Sequence, residues 1–249
     1  MNLITIFNYP KDNVNYTKMC ELWLYFAFKY KGTLNVKIFT ENGVNESIKS
    51  MIDHYGFELL KLERTPISWS DPKFKHNIGF KLFNLCKETE PFVFIDADAY
   101  ILKSLDTLVR TSNNQRMVMI DHETVPGHTT HIPYKFLNSG VQVCNDPTIL
   151  IYDEIIKEKI IAPGSDQSLL YSYFKTINYD YKNPNIGFEW NSFAKYVNIE
   201  YKDNEWVGVS SGLDYVHPVY INHYWYDAKP WQINCPIFTN TKNYENIPL

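Results

Sequence analysis

No uninterrupted apolar stretch in this chain approaches the roughly 20 residues that a membrane-spanning helix requires. An excess of basic charge is missing as well. Lys and Arg number 24 against 28 Asp and Glu, a formal net charge of −4, which gives no electrostatic footprint for DNA or RNA. Nucleic acid is therefore set aside as a partner. The cysteines are few and scattered (Cys20, Cys86, Cys144 and Cys235), with no Cys-x-x-Cys pair and with core-like neighbours. That pattern suits a reducing compartment rather than a disulfide framework. The start, Met1-Asn2-Leu3-Ile4-Thr5-Ile6-Phe7, has neither basic flank nor cleavage pattern and reads as a strand, not a signal peptide. The expected location is cytoplasmic, that of a host cell were the chain viral. Repeats, low-complexity tracts and linkers are absent too, so residues 1–249 are expected to form one domain.

What is present is a soluble globular composition, 45% hydrophobic and 21% charged. Aromatics reach 16%; flat rings can stack on sugars or bases, although most will be core. Asn15-Tyr16-Thr17 and Asn45-Glu46-Ser47 match the glycosylation sequon, which a chain this rich in Asn contains by chance. Apolar strands alternate with helical periodicity. Strands are expected over Leu3 to Asn8, Asn35 to Thr40 and Phe57 to Leu62, and helices from about Tyr16 to Gly32, Asn45 to Tyr55 and Lys73 to Cys86. Such alternation argues for an α/β fold with a mostly parallel central sheet flanked by helices.

The chain is organised around Phe92-Val93-Phe94-Ile95-Asp96-Ala97-Asp98-Ala99-Tyr100, an apolar run that ends in two carboxylates. Ligands of open α/β sheets gather at the carboxyl ends of such buried strands. Residues two apart in an extended segment project to one side, so Asp96 and Asp98 could share a cation and the phosphates it carries. A solvated turn is the plain alternative. Further on, a short helix is expected near Ser104 to Val109 and a strand over Met117 to Ile120. His122, His128 and His131 share an irregular loop whose spacing fits no closed zinc site. Lys135 to Asn145 reads as a strand or strand pair with a tight approach at Gly140, and Asp146-Pro147 as a helix start. Asp166, opening a helix through Tyr173, is either a cap or a site residue. The last third is less regular, with His223 on a strand and Lys229 in the loop after it.

Taken together, Phe94-Ile95-Asp96-Ala97-Asp98 with Leu102 and Leu105-Asp106, Phe136-Leu137-Asn138-Ser139-Gly140-Val141, Gly164-Ser165-Asp166-Gln167, and His223 with Lys229-Pro230-Trp231 resemble the retaining glycosyltransferases of family eight, the glycogenin-like and bacterial galactosyltransferase-like enzymes. The resemblance implies the GT-A fold, a Rossmann-like nucleotide-diphospho-sugar transferase architecture, and transfer of a hexose from a nucleoside-diphosphate sugar, a UDP-sugar by family default, to a glycan, protein or other hydroxyl acceptor. It implies a Mn2+ ion, with Mg2+ as the alternative, held by Asp96, Asp98 and His223, and Lys229 as a point charge on the diphosphate. Lys81 matches a lysine near sugar and diphosphate, and small Ala97 lets the backbone approach the ribose. Asn138, Ser139, Gly140, Asp166 and Gln167 match the stretches that meet the donor sugar, with Asn138, Asp166, Gln167 and Lys229 lining the reacting face. Tyr16 is the nearest match to the ring that stacks on the base and Asn8 to an Asn after the first strand, though the loop from Tyr9 to Asn15 runs longer than in the family. No residue matches an established nucleophile, so Asp166 is expected to position the sugar and stabilise an oxocarbenium-like centre. A homodimer is among the expected assemblies.

Two other readings compete. A haloacid-dehalogenase-like phosphatase would use Asp96 as nucleophile, but that motif normally lies near the N-terminus and leaves His223 and Lys229 without a role. A nucleotide-sugar-binding module without turnover would keep the same metal residues. The acceptor is expected to be chosen by His122 to Tyr134 and Asn183 to Gly212.

Overall fold

A computed structural model of the chain describes residues 1–68, 77–121, 137–158, 166–194, 197–210, 216–224, 229–233 and 235–240. The histidine-bearing loop, Phe136, Gly164-Ser165, the start of the helix expected from Lys73 and parts of the Asn183 to Gly212 stretch lie outside these residues.

The chain opens as β1 (Asn2–Ile6), α1 (Val14–Tyr30), β2 (Asn35–Thr40), α2 (Glu46–Tyr55) and β3 (Glu58–Lys61). Local signals set the helix ends. Asn13 caps α1 by accepting from Asn15 N and Tyr16 N at 3.0 and 3.3 Å, Asn45 caps α2 through Ile48 N at 3.0 Å, and Gly56 ends α2 at φ 67°. Both sequon asparagines thus sit at helix starts. β4 (Phe92–Ile95), β5 (Ala99–Ile101), α3 (Leu105–Ser112), β6 (Met117–Asp121) and β7 (Leu137–Cys144) follow, then α4 (Tyr152–Lys157) and α5 (Asp166–Thr176). The last third holds β8 (Ser192–Phe193), β9 (Val197–Lys202), β10 (Glu205–Ser210), β11 (Val216–Pro218), β12 (Ile221–His223) and α6 (Pro236–Asn240).

The central sheet runs β3-β2-β1-β4-β7-β6. The β1, β2, β3 and β4 pairings are parallel, and β7 is antiparallel to both its neighbours. Alternate residues of each strand sort into two cores. Leu3, Val93 and Ile95 face α1 and α3 through Met19, Trp23 and Leu105, whereas Ile4, Phe92 and Phe94 face Leu82, Leu169 and Phe174. With both faces covered, the strands lose amphipathic alternation, which is why β4 reads as a continuous apolar run.

Three features depart from expectation. Asn77–Leu82 forms wide π-type turns and only Phe83–Leu85 is α-helical. Ile78, Phe80, Lys81, Leu82 and Leu85 are all buried there, too many directions for the single stripe of a regular helix. Asp146 caps only a single 3-10 turn, Pro147–Ile149, before α4. The irregular last third contains a three-stranded antiparallel sheet, β11-β10-β9, and a second small sheet, β5-β12-β8. That second sheet carries the site.

Candidate active site

The segment leaving β4 is pinned on three sides. Asp96 N donates to Gly140 O of β7 at 2.8 Å, Ala99 N to Asp96 O at 3.0 Å, and Tyr224 N to Asp98 O at 2.8 Å. β12 pairs antiparallel with β5 so that His223 stands opposite Ala99. Backbone pairing alone therefore brings His223 beside an acidic pair 125 residues or more earlier in the chain.

The result is a compact cluster in which ligand atoms of Asp96, Asp98 and His223 all lie within 4.8 Å of one another. His223 Nε2 is 3.4 Å from Asp98 Oδ1 and 3.8 Å from Asp96 Oδ2. This nitrogen is buried and makes no hydrogen bond among the described residues. A buried imidazole nitrogen turned toward two carboxylates fits a residue set that could hold a divalent cation. The charge balance agrees. Among the described residues the three carboxylates of Asp96, Asp98 and Asp166 pair with two ammonium groups, Lys81 and Lys229, so with a neutral His223 the cluster keeps net negative charge that a cation would neutralise.

Lys81 links the two acidic sides of the site. Its Nζ is 3.0 Å from Asp96 Oδ1, 3.4 Å from Asp166 Oδ2 and 3.0 Å from Ser139 O. It also lies 4.5 Å above the centre of the Phe94 ring. Burial works against its charge, but Asp96 and Asp166 outweigh burial and hold the ammonium above its ordinary pKa. The Asp166 carboxylate, 3% exposed as a residue, is turned toward Lys81 at the start of α5. Lys229 donates to Asp98 Oδ2. Burial alone would push the Asp98 carboxyl up; His223 and Lys229 beside it reverse that and hold it well below the usual carboxylate range.

Ser139, Gly140 and Ala97 are buried within the same cluster. Asn138 is fully buried, its Oδ1 accepting from Gly140 N at 2.7 Å and Asn191 Nδ2 at 3.0 Å. Gln167, half-buried, follows Asp166 on α5, and Asn8, also half-buried, follows β1. Tyr16 stands on the first turn of α1, where its ring stacks on Tyr9 with centres 4.4 Å apart and meets Trp231 edge-on at 4.9 Å. Burial, then the nearby Asp98 carboxylate, raises the phenol of Tyr9 in this stack well above its ordinary pKa. A small recess beside it is lined by Phe7, Cys20, Val44, Asn45 and Ile48.

Two residues escaped the sequence reading. Tyr9 lies three residues past β1, at the carboxyl end of that strand, and could have been found by its position. Asn191 hydrogen-bonds His223 Nδ1 at 2.9 Å, and nothing local distinguishes it from the many other asparagines. An open surface cleft lined by Tyr171, Lys175, Asn178, Tyr179 and Lys182 shares no residue with the cluster. No helix among the described residues is long and apolar enough to cross a membrane, and all four cysteines are free.

No family model and no curated protein sequence matches the chain. Solved structures do. The glycosyltransferase GlyE of Streptococcus pneumoniae TIGR4, in its apo form, superimposes with a TM-score of 0.57 at 14% identity, over 92% of this chain and 55% of GlyE. The galactosyltransferase LgtC, solved with donor and acceptor sugar analogs, gives 0.55 at 14% identity, over 98% of this chain and 93% of LgtC. The chain has the GT-A fold. Mouse xyloside xylosyltransferase 1, apo form, gives 0.56 at 13% identity over 91% of this chain and 98% of that protein. This chain thus spans about half of GlyE and nearly all of the other two. Identities this low carry the architecture alone, and the chemistry rests on the residues described above.

Proposed function

We propose that the chain is a metal-dependent, retaining glycosyltransferase of family eight that moves a hexose from a UDP-sugar to a hydroxyl of a glycan or protein. One observation carries this reading: Asp96, Asp98 and the unpartnered Nε2 of His223 converge at the carboxyl end of β4, where ligands of such sheets bind. The likeness to GT-A glycosyltransferases supports it.

Asp96, Asp98 and His223 would hold the cation, Mn2+ or Mg2+. When bound, that ion supplies Lewis-acid stabilisation of the leaving diphosphate. The remaining work falls to the chain itself. Lys229, the cation nearest Asp98, adds a second positive charge for the diphosphate. Lys81 bridges the Asp96 and Asp166 carboxylates and orients both. Asp166 positions the sugar from the rim of the cluster, and the Tyr16 ring offers a flat face for the base.

The test is incubation of the purified protein with Mn2+ and a panel of UDP-sugars. Slow release of UDP with one sugar, abolished by EDTA and by Asp98→Asn, is the expected result. Release of inorganic phosphate from phosphate esters would favour the phosphatase, and donor binding without turnover or transfer would favour the inactive module; either overturns the proposal.

A further inference from the structure

The hydrogen bonds behind His223 determine which of its nitrogens carries the proton. The backbone N–H of Gly140 is a donor by its chemistry, and it points at Asn138 at 2.7 Å. The Asn138 atom receiving it is therefore the carbonyl oxygen Oδ1. Asn191 approaches that same oxygen at 3.0 Å, so the group it presents must be its NH2. The other end of the Asn191 amide, its Oδ1, then faces His223 Nδ1 at 2.9 Å. An oxygen without hydrogens can only accept, so Nδ1 of the imidazole carries the proton. In the neutral ring this leaves Nε2 as a bare lone pair, buried, without a hydrogen-bond partner and 3.4 Å from Asp98 Oδ1.

We infer that Asn191 is a positioning residue that fixes the tautomer and ring orientation of His223, presenting its Nε2 lone pair to the space shared by Asp96 and Asp98. The relay runs from β7 backbone through Asn138 and Asn191 to β12. It is rigid because every member is 0 to 2% exposed and because Asn191 closes the short turn Phe188–Asn191 just before β8, which pairs with β12. Facing two carboxylates, Nε2 gains an attractive partner only from a positive charge placed between them, a proton on the ring or a cation in the site. That is why the orientation matters for the cation site, and to this extent the inference rests on the function proposed above. Partners of this kind typically account for about 10- to 100-fold in metal affinity.

Two measurements test it. In metal-free protein, the ring nitrogens of His223 are observed by long-range 1H–15N correlation at a pH where the ring is neutral. The expected spectrum is that of the Nδ1–H tautomer, becoming mixed or Nε2–H in Asn191→Leu. Mn2+ alone is then titrated by EPR, with a loss of about tenfold or more expected for Asn191→Leu and recovery expected in Asn191→Ser, whose hydroxyl can still accept. Circular dichroism checks that the variants fold. An Nε2–H tautomer in the wild-type protein overturns the inference without any variant, and so does an unchanged tautomer in folded Asn191→Leu. If wild-type protein binds no Mn2+ while the tautomer responds as expected, the positioning role stands and the metal-dependent function falls.

Discussion

Gly140 and His223 leave no room between them for a side chain. A Cβ at Gly140 would lie 2.8 Å from both Asp96 Oδ2 and Asn138 Oδ1, and closer still to His223 Cε1. Gly140 does not sit at positive φ, so the glycine serves close approach and not a backbone need. Gly140→Ala must push the imidazole or the carboxylate away. Mn2+ affinity should fall by about tenfold or more, with a far-UV spectrum like that of the wild type. Unchanged Mn2+ titration in Gly140→Ala would mean that neither His223 nor Asp96 holds the ion.

Lys229 occupies Asp98 Oδ2 in the free protein, where it competes with any cation for that oxygen. Lys229→Ala should therefore bind Mn2+ alone at least as tightly as the wild type, while UDP release slows by about a hundredfold, the usual cost of removing one charge-stabilising donor. Titrating the metal and measuring kcat separately distinguishes this from a simple metal ligand. Equal losses in both would reject the assignment.

Lys81 and Asp166 are buried together, with side chains 9% and 4% exposed. Removing the ammonium strands Asp166, so Lys81→Met should cost about 3 kcal/mol of stability in urea unfolding. Lys81→Met with Asp166→Leu should recover part of that loss. A double variant less stable than Lys81→Met would indicate that the pair is not an interacting unit.

Much of this architecture is legible in the residues. The β4 run and its acidic end, the Asn45 cap and the Gly56 stop all read locally, because each depends on a few neighbouring residues. The direction of β7 does not, since a strand buried on both faces has the same pattern parallel or antiparallel. β5, β8 and β12 have two or three residues each, too few to express a period, yet their pairing is what brings His223 to Asp98. The β9-β10 hairpin was readable: Asp203-Asn204, at φ 52° and 66°, make its two-residue turn between alternating apolar positions. Asn191 acts 53 residues from Asn138 and 32 from His223, and no local signal reports such a partnership.

The antiparallel sheet β11-β10-β9 supplies a pH prediction independent of the proposed chemistry. His217 on β11 is 2% exposed and packs edge-on against Phe188 at 4.6 Å, and burial lowers its pKa below the ordinary 6.5. The folded protein therefore resists protonation that the unfolded chain accepts. Above about pH 7 neither state binds this proton and stability is unaffected; as pH falls through about 6.5 the unfolded chain takes it up first. Stability then declines until the folded-state pKa is reached. His217→Phe keeps a ring against Phe188 and removes the titration, so the drop in Tm between about pH 7.5 and 5.5 should be smaller than in the wild type. An equal drop in both proteins would assign the acid sensitivity to other groups.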